Sequence, residues 1–233
     1  MTAKRLVLWD IDHTLIETGG VGGEVFALAF QDSTGVPMTQ MAEPAGRTEP
    51  VIFRETATLH GIEDPDRLFD AFSRAQAQGY ADRTEDLRRR GRALPGAQQA
   101  LVALAAQADI VQSVLTGNTR PSAQIKLAAF GLDEYPDFTS GAYGDDDDTR
   151  AKLVPLARSR AAAQHRAIFD RATTILIGDT PSDVQAAIEG GAMVIAVASG
   201  KSTVQELVDA GATVVLQDLT DTREVIKNVL AAH

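Results

Sequence analysis

The ten residues Leu6-Val7-Leu8-Trp9-Asp10-Ile11-Asp12-His13-Thr14-Leu15 constrain this chain more than any others. The apolar run from Leu6 to Trp9 has strand length, follows the basic pair Lys4-Arg5 and stops abruptly at two carboxylates. Such a run reads as a buried parallel strand that delivers Asp10 and Asp12 to its carboxyl end. Open α/β sheets hold their ligands at that end. Two acids separated by one residue cannot both enter an apolar core, because each uncompensated buried charge costs several kcal/mol. The alternatives are a solvated turn or a bound cation, and the spacing suits a hard ion such as Mg²⁺, which takes oxygen ligands.

Composition narrows the chemistry. A chain of 233 residues, 44% of them hydrophobic, can bury a substantial core. Its formal net charge of -10 repels nucleic acid and anionic membranes. It has no cysteine, so disulfides, thiolate ligands and thiol nucleophiles are excluded. The expected partner is therefore a small molecule. The N-terminal residues run straight into the strand without a signal-peptide core, and no run reaches the roughly 18 to 20 apolar residues of a membrane helix. A cytoplasmic protein, monomer or homodimer, is expected.

Further along, Gly19-Gly20-Val21-Gly22-Gly23 supplies four glycines in five residues, as a hinge leaving the core would need. From Glu24 to about Arg90 the apolar spacing is helical, and Leu94-Pro95-Gly96 then breaks the chain. The expected division is a core of residues 1–18 and 93–233 with a helical insertion of residues 19–92. A second strand, Asp109–Leu115, runs into Thr116-Gly117-Asn118, where a hydroxyl and free amides before a helix opened by Arg120-Pro121 make an anion site. Asp137–Ser140 is expected as a short strand. The four acids Asp145–Asp148 read as a solvated loop, since they lack calcium-loop spacing. The strand Thr173–Gly178 delivers Asp179, and Thr180-Pro181-Ser182-Asp183 opens a helix in which Asp183 suits the positive dipole end. Gly200-Lys201-Ser202 resembles the end of a P-loop, but Ile195 stands where the required glycine should be.

Four of these segments, in this order, resemble the motifs of the haloacid dehalogenase superfamily. Asp10-Ile11-Asp12-His13-Thr14 is similar to its D-x-D-x-[TV], Thr116 with its following amides to the second motif, and Gly178-Asp179 through Asp183 to G-D-x-x-x-D. The resemblance implies a doubly wound, Rossmann-like parallel α/β sheet with a small all-helical cap inserted after the first strand. Asp10 would then be the nucleophile, Asp12 the general acid and base, and Thr14 a support for the turn. Thr116, Gly117 and Asn118 would bind phosphate. The Mg²⁺ site would comprise Asp10, Asp12 through its backbone carbonyl, Asp179 and Asp183. The third motif is usually Lys; here Arg150 and Lys152 are the candidates, Arg150 being nearer the loop.

The segment Ala45-Gly46-Arg47-Thr48-Glu49 resembles a substrate-specificity element of capped members. Arg47 would read the substrate's non-reacting end, or else would merely precede a helix capped by Thr48. The implied activity is Mg²⁺-dependent hydrolysis of a small phosphorylated metabolite through an aspartyl-phosphate, with phosphoglycolate-phosphatase-like members the nearest resemblance. A phosphomutase, or a non-catalytic binding protein with the same fold, is the alternative.

Overall fold

The computed structural model describes residues 4–231. Its elements in chain order are β1 (Arg5–Trp9), β2 (Ile16–Glu17), α1 (Val21–Thr34), α2 (Glu49–Leu59), α3 (Asp66–Asp82), α4 (Thr84–Arg90) and β3 (Arg92–Ala93). They continue with α5 (Ala97–Ala105), β4 (Ile110–Val114), α6 (Arg120–Ala129), α7 (Arg150–His165), β5 (Thr174–Gly178) and α8 (Pro181–Gly190). β6 (Met193–Val197), α9 (Val204–Asp209), β7 (Val215–Leu216) and α10 (Thr222–Ala231) complete the chain.

The five longer-range strands form one parallel sheet in the order β4-β1-β5-β6-β7. β1 lies inside the sheet between β4 and β5, and its side chains alternate between two cores as strand geometry requires. Val7 and Trp9 pack with Leu101 and Leu104 of α5, Leu127 of α6 and Val229 of α10. Leu6 and Leu8 pack on the opposite face with Leu153 and Val154 of α7, Val184 of α8 and Leu207 of α9. Covering both faces explains why β1 reads as an unbroken apolar run. The one polar atom that Trp9 carries into this core is satisfied, since its indole Nε1 donates to Gln112 Oε1 at 3.0 Å.

The chain leaves and re-enters this layer through an antiparallel ribbon that pairs Ile16 with Ala93 and Glu17 with Arg92. Between the two crossings lie α1 to α4, which have an aromatic core of their own. Phe26, Phe30, Phe53 and Phe72 are buried together, with the Phe53 and Phe72 rings 4.5 Å apart. The expected five-residue glycine hinge is shorter than its sequence suggests: Gly19 and Gly20 have positive φ, whereas Val21 to Gly23 already belong to α1. No helix among the described residues is long and apolar enough to cross a membrane.

Asp137–Ser140 is a turn rather than a strand. The Asp137 carboxylate accepts from the Thr139 amide at 2.9 Å and from the Ser140 hydroxyl at 2.5 Å, and this local bonding competes with pairing to a neighbour. The bridge to the end of β4 forms at Ala142 instead. The acids Asp145–Asp148 diverge, with Asp146 paired to Arg160, Asp147 to Lys152 and Asp148 to Arg54.

Candidate active site

Sheet order brings the site together. β4, β1 and β5 are neighbours, so their carboxyl ends place Thr116, Asp10 and Asp179 side by side. The register is fixed across the loop starts, because the Asp10 amide donates to Ile177 O at 2.8 Å and the Leu115 amide to Trp9 O at 2.9 Å. Asp183 arrives from the first turn of α8. Its Oδ2 accepts from the Thr180 amide and hydroxyl at 3.0 and 2.7 Å, half of a capping box that fixes the carboxylate over the strand end. Gly178 is required beneath it, because a Cβ there would overlap the Asp183 carboxyl group.

Carboxylate oxygens of Asp10, Asp179 and Asp183 lie within 4.8 Å of one another, and all three side chains are buried. Such a cluster needs positive charge. Arg150, the first residue of α7, supplies some of it: Nη2 donates to Asp10 Oδ1 at 2.6 Å and to Asp183 Oδ1 at 2.5 Å. Burial would lower the Arg150 pKa, but the two carboxylates outweigh it and keep the guanidinium charged. Its Nε is buried without a partner among the described residues. Burial raises the Asp10 pKa; Arg150 opposes this and Asp183 reinforces it. Asp179 is raised by burial, then by Asp10 and Asp183, and Thr14 steadies it by donating to Oδ1 at 3.2 Å. Three converging oxygen ligands, two of them with pKa values raised chiefly by burial, fit a hard divalent cation.

Asp12 is arranged differently. Its carboxylate is outside the cluster and accepts from Lys126 Nζ at 3.1 Å on Oδ1 and 2.9 Å on Oδ2, and from Asn118 Nδ2 at 2.8 Å. Of the two possible kinds of metal ligand at Asp12, only the backbone carbonyl is left. Burial pushes the Asp12 pKa up, but Lys126 and Asn118 outweigh it, so the group sits below its ordinary value. Lys126 Nζ also donates to Asn118 Oδ1 at 2.6 Å, and the ammonium lies 5.0 Å from the Tyr80 ring centroid. The Thr116 hydroxyl accepts from the Asn118 amide and side chain at 3.2 and 2.7 Å, which leaves its own proton for a ligand.

Two candidates are not brought to this centre. Lys152 points outward, 67% exposed and 3.3 Å from Asp147, because α7 turns it to the opposite side from Arg150. Thr48 is buried and stands at the N-cap of α2, yet its hydroxyl donates to Asp148 O at 3.3 Å rather than capping the helix or facing the cavity. Arg47 does line the cavity, with its guanidinium paired to Glu55. The backbone of this segment docks closely on the core: the Glu49 amide donates to Gly117 O at 2.8 Å, and a Cβ at Gly117 would strike Arg47 O. Lys126 and Glu49 are functional candidates that the sequence reading did not pick. The first betrays itself only as a cation beside Leu127 on the apolar face of α6.

The cavity bounded by these groups encloses about 280 Å³ between the sheet edge and the inserted helices. It is small for a ligand pocket.

A sequence model of the family described as haloacid dehalogenase-like hydrolase matches residues 7–187. The chain is 28% identical over 225 residues to a protein of Dickeya dadantii (strain 3937) named "Probable phosphatase IndB", covering 94% of this chain and 91% of that one. Among solved structures it resembles a hydrolase from Pseudomonas syringae, with TM-score 0.69, 23% identity, and 97% and 99% of the two chains covered. It also resembles a predicted phosphoglycolate phosphatase from Haemophilus somnus 129pt, with TM-score 0.68, 18% identity and the same coverage. The match over residues 7–187, from β1 through the helix that carries Asp183, makes this chain a member of the haloacid dehalogenase-like hydrolase family.

Proposed function

We propose that the protein is a Mg²⁺-dependent phosphatase of small phosphorylated metabolites, working through an aspartyl-phosphate at Asp10. The observation that supports this most is the convergence of Asp10, Asp179 and Asp183 beside the free proton of Thr116 and the guanidinium of Arg150. The D. dadantii relative bears the name of a phosphatase, in keeping with this reading. Asp10, Asp179, Asp183 and the Asp12 carbonyl would hold Mg²⁺, which when bound neutralises the acids and the phosphoryl oxygens. Asp10 attacks phosphorus as the bond to the leaving oxygen breaks, and Asp12 gives that oxygen its proton. Approach of a phosphate dianion favours the protonated form of Asp12, against the pull of Lys126. Asp12 then takes a proton from water as water displaces Asp10 from phosphorus. Thr116, Gly117, Asn118 and Arg150 hold the group being transferred.

The helices of residues 19–92 act as a cap on the core of residues 1–18 and 93–233, and their closing excludes water. The seam holds polar contacts, Glu49 to Gly117, Thr48 to Asp148 and Arg54 to Asp148, and an apolar cluster in which Tyr80 and Leu87 meet Ile125 and Ala129 of α6. Net charge of -10 favours a small-molecule partner over nucleic acid or membrane, in a cytoplasmic monomer or homodimer. The test is hydrolysis of p-nitrophenyl phosphate. Activity should require Mg²⁺, vanish with chelator and return with added Mg²⁺; turnover that survives chelation contradicts the proposal. Recovery of an isomerised sugar phosphate, in place of free phosphate, would show the phosphomutase instead.

A further inference from the structure

Glu49, the first residue of α2, is 8% exposed and lines the cavity. One of its two oxygens accepts at the end of a bonded chain. Thr119 Oγ1 donates to Ser122 Oγ at 3.1 Å, Ser122 Oγ donates to Gln76 Oε1 at 3.2 Å, and Gln76 Nε2 donates to Glu49 Oε1. This chain of bonds fixes the Gln76 amide with its nitrogen toward the carboxylate. Among the described residues no hydrogen-bond donor meets Glu49 Oε2.

The nearby cations are committed elsewhere. Lys126 has three donor hydrogens and makes three bonds, two to Asp12 and one to Asn118. Arg150 is held by Asp10 and Asp183, and Arg47 by Glu55. Lys201 lines the cavity too, but it follows Gly200, whose backbone packs against the Asp179 carboxylate, and so stands on the phosphoryl side. A leaving group bonded to phosphorus over Asp10 therefore extends toward a cap wall that offers an acceptor with a lone-pair face unfilled. A hydroxyl or ammonium completes that site, whereas a terminal carboxylate sets like charge against it.

We infer that Glu49, oriented by Gln76, is a specificity-determining residue that selects phosphate esters whose leaving group carries hydroxyl or amino donors, as in a polyol or sugar phosphate, over esters ending in a carboxylate. The inference rests on the reading of this cavity as a phosphate-ester site and names the class of ester. A cavity of about 280 Å³ suits a small ester.

The test compares sn-glycerol 3-phosphate with 3-phosphoglycerate, which share a skeleton and differ in a terminal hydroxymethyl against a carboxylate. Calorimetric titration in Mg²⁺ uses the Asp10→Asn protein, so that turnover does not enter. Glycerol 3-phosphate should bind at least about tenfold more tightly, since a site built for a donor rejects the group lacking it. Adding Glu49→Gln should shrink that ratio about tenfold, chiefly by improving 3-phosphoglycerate, because the amide keeps an acceptor and loses the charge. A ratio near one in the Asp10→Asn protein, a ratio unmoved by Glu49→Gln in a protein with unchanged circular dichroism, or failure of both esters to bind overturns the assignment. If the preference holds but wild-type protein releases no phosphate, the hydrolase chemistry proposed above fails and the selectivity of Glu49 stands.

Discussion

Lys126 closes on both carboxylate oxygens of Asp12, 3.1 Å from Oδ1 and 2.9 Å from Oδ2, with its side chain 5% exposed. The pair joins α6 to the turn after β1 and sets the charge state of the group proposed as acid and base. Lys126→Met removes the counterion and should raise the Asp12 pKa, moving to higher pH the basic limb of the kcat/KM profile, beyond which Asp12 no longer has a proton for the leaving oxygen. Stability should fall by about 1–3 kcal/mol, the cost of a hydrogen bond to a charged group left unmade. A pH-rate profile superimposable on wild type would show that Lys126 does not govern Asp12.

Arg150 and Lys152 separate cleanly. Arg150→Met strips the countercharge from Asp10 and Asp183, and should cost about 3–5 kcal/mol in chemical denaturation along with most of the activity. Arg150→Lys should recover part of both, as one ammonium can reach one of the two carboxylates well but lacks the planar fork. Lys152→Ala should change stability by less than about 0.5 kcal/mol and leave kcat/KM alone, because its partner Asp147 lies at the surface. Equal effects at the two positions would contradict this division.

The acidic cluster makes stability depend on pH and Mg²⁺ together. Asp10 and Asp179 are raised from the ordinary 3.8 to about 7 and about 8, each mainly by burial. A carboxyl group whose folded pKa exceeds its unfolded value binds more protons when folded, so its contribution is full below about pH 4 and is lost as pH climbs through the folded pKa. Without metal, Tm should therefore fall between about pH 5 and about pH 8. Mg²⁺ at 100 times its pH 8 Kd adds about 2.7 kcal/mol there, or roughly 5–10 °C in a chain of this size, and the same concentration should add far less at pH 5, where protons compete for the ligands. Asp179→Asn should flatten both trends. Stabilisation by Mg²⁺ that is the same at both pH values would argue against these ligands.

Much of this was legible in the sequence because burial on both faces leaves an unmistakable mark. Leu6–Trp9 and Ile175–Ile177 are apolar throughout and lead into acids, so both the strands and the carboxylates at their ends could be read. Arg150 stands nearer the loop than Lys152 in sequence, and the helix turns the two apart, Arg150 to Asp10 and Lys152 to Asp147. What escaped was set by tertiary contact alone. Lys126 lies 114 positions from Asp12, and nothing local distinguishes it from a solvated lysine except the face of α6 it shares with Ala123 and Leu127. Glu49 reads as an ordinary acid in a first helical turn, and only its burial against Gln76 reveals another use. Asp137–Ser140 failed as a strand because side-chain bonds to its own backbone won.

The central claim is covalent: phosphorus passes through Asp10. The direct measurement is an acid quench during steady-state turnover in Mg²⁺, reduction with borohydride, and peptide mass spectrometry. An acyl phosphate at Asp10 predicts homoserine at position 10, present only with substrate and metal and absent from Asp10→Asn. Turnover with no reducible adduct at Asp10, or an adduct on another residue, would contradict it.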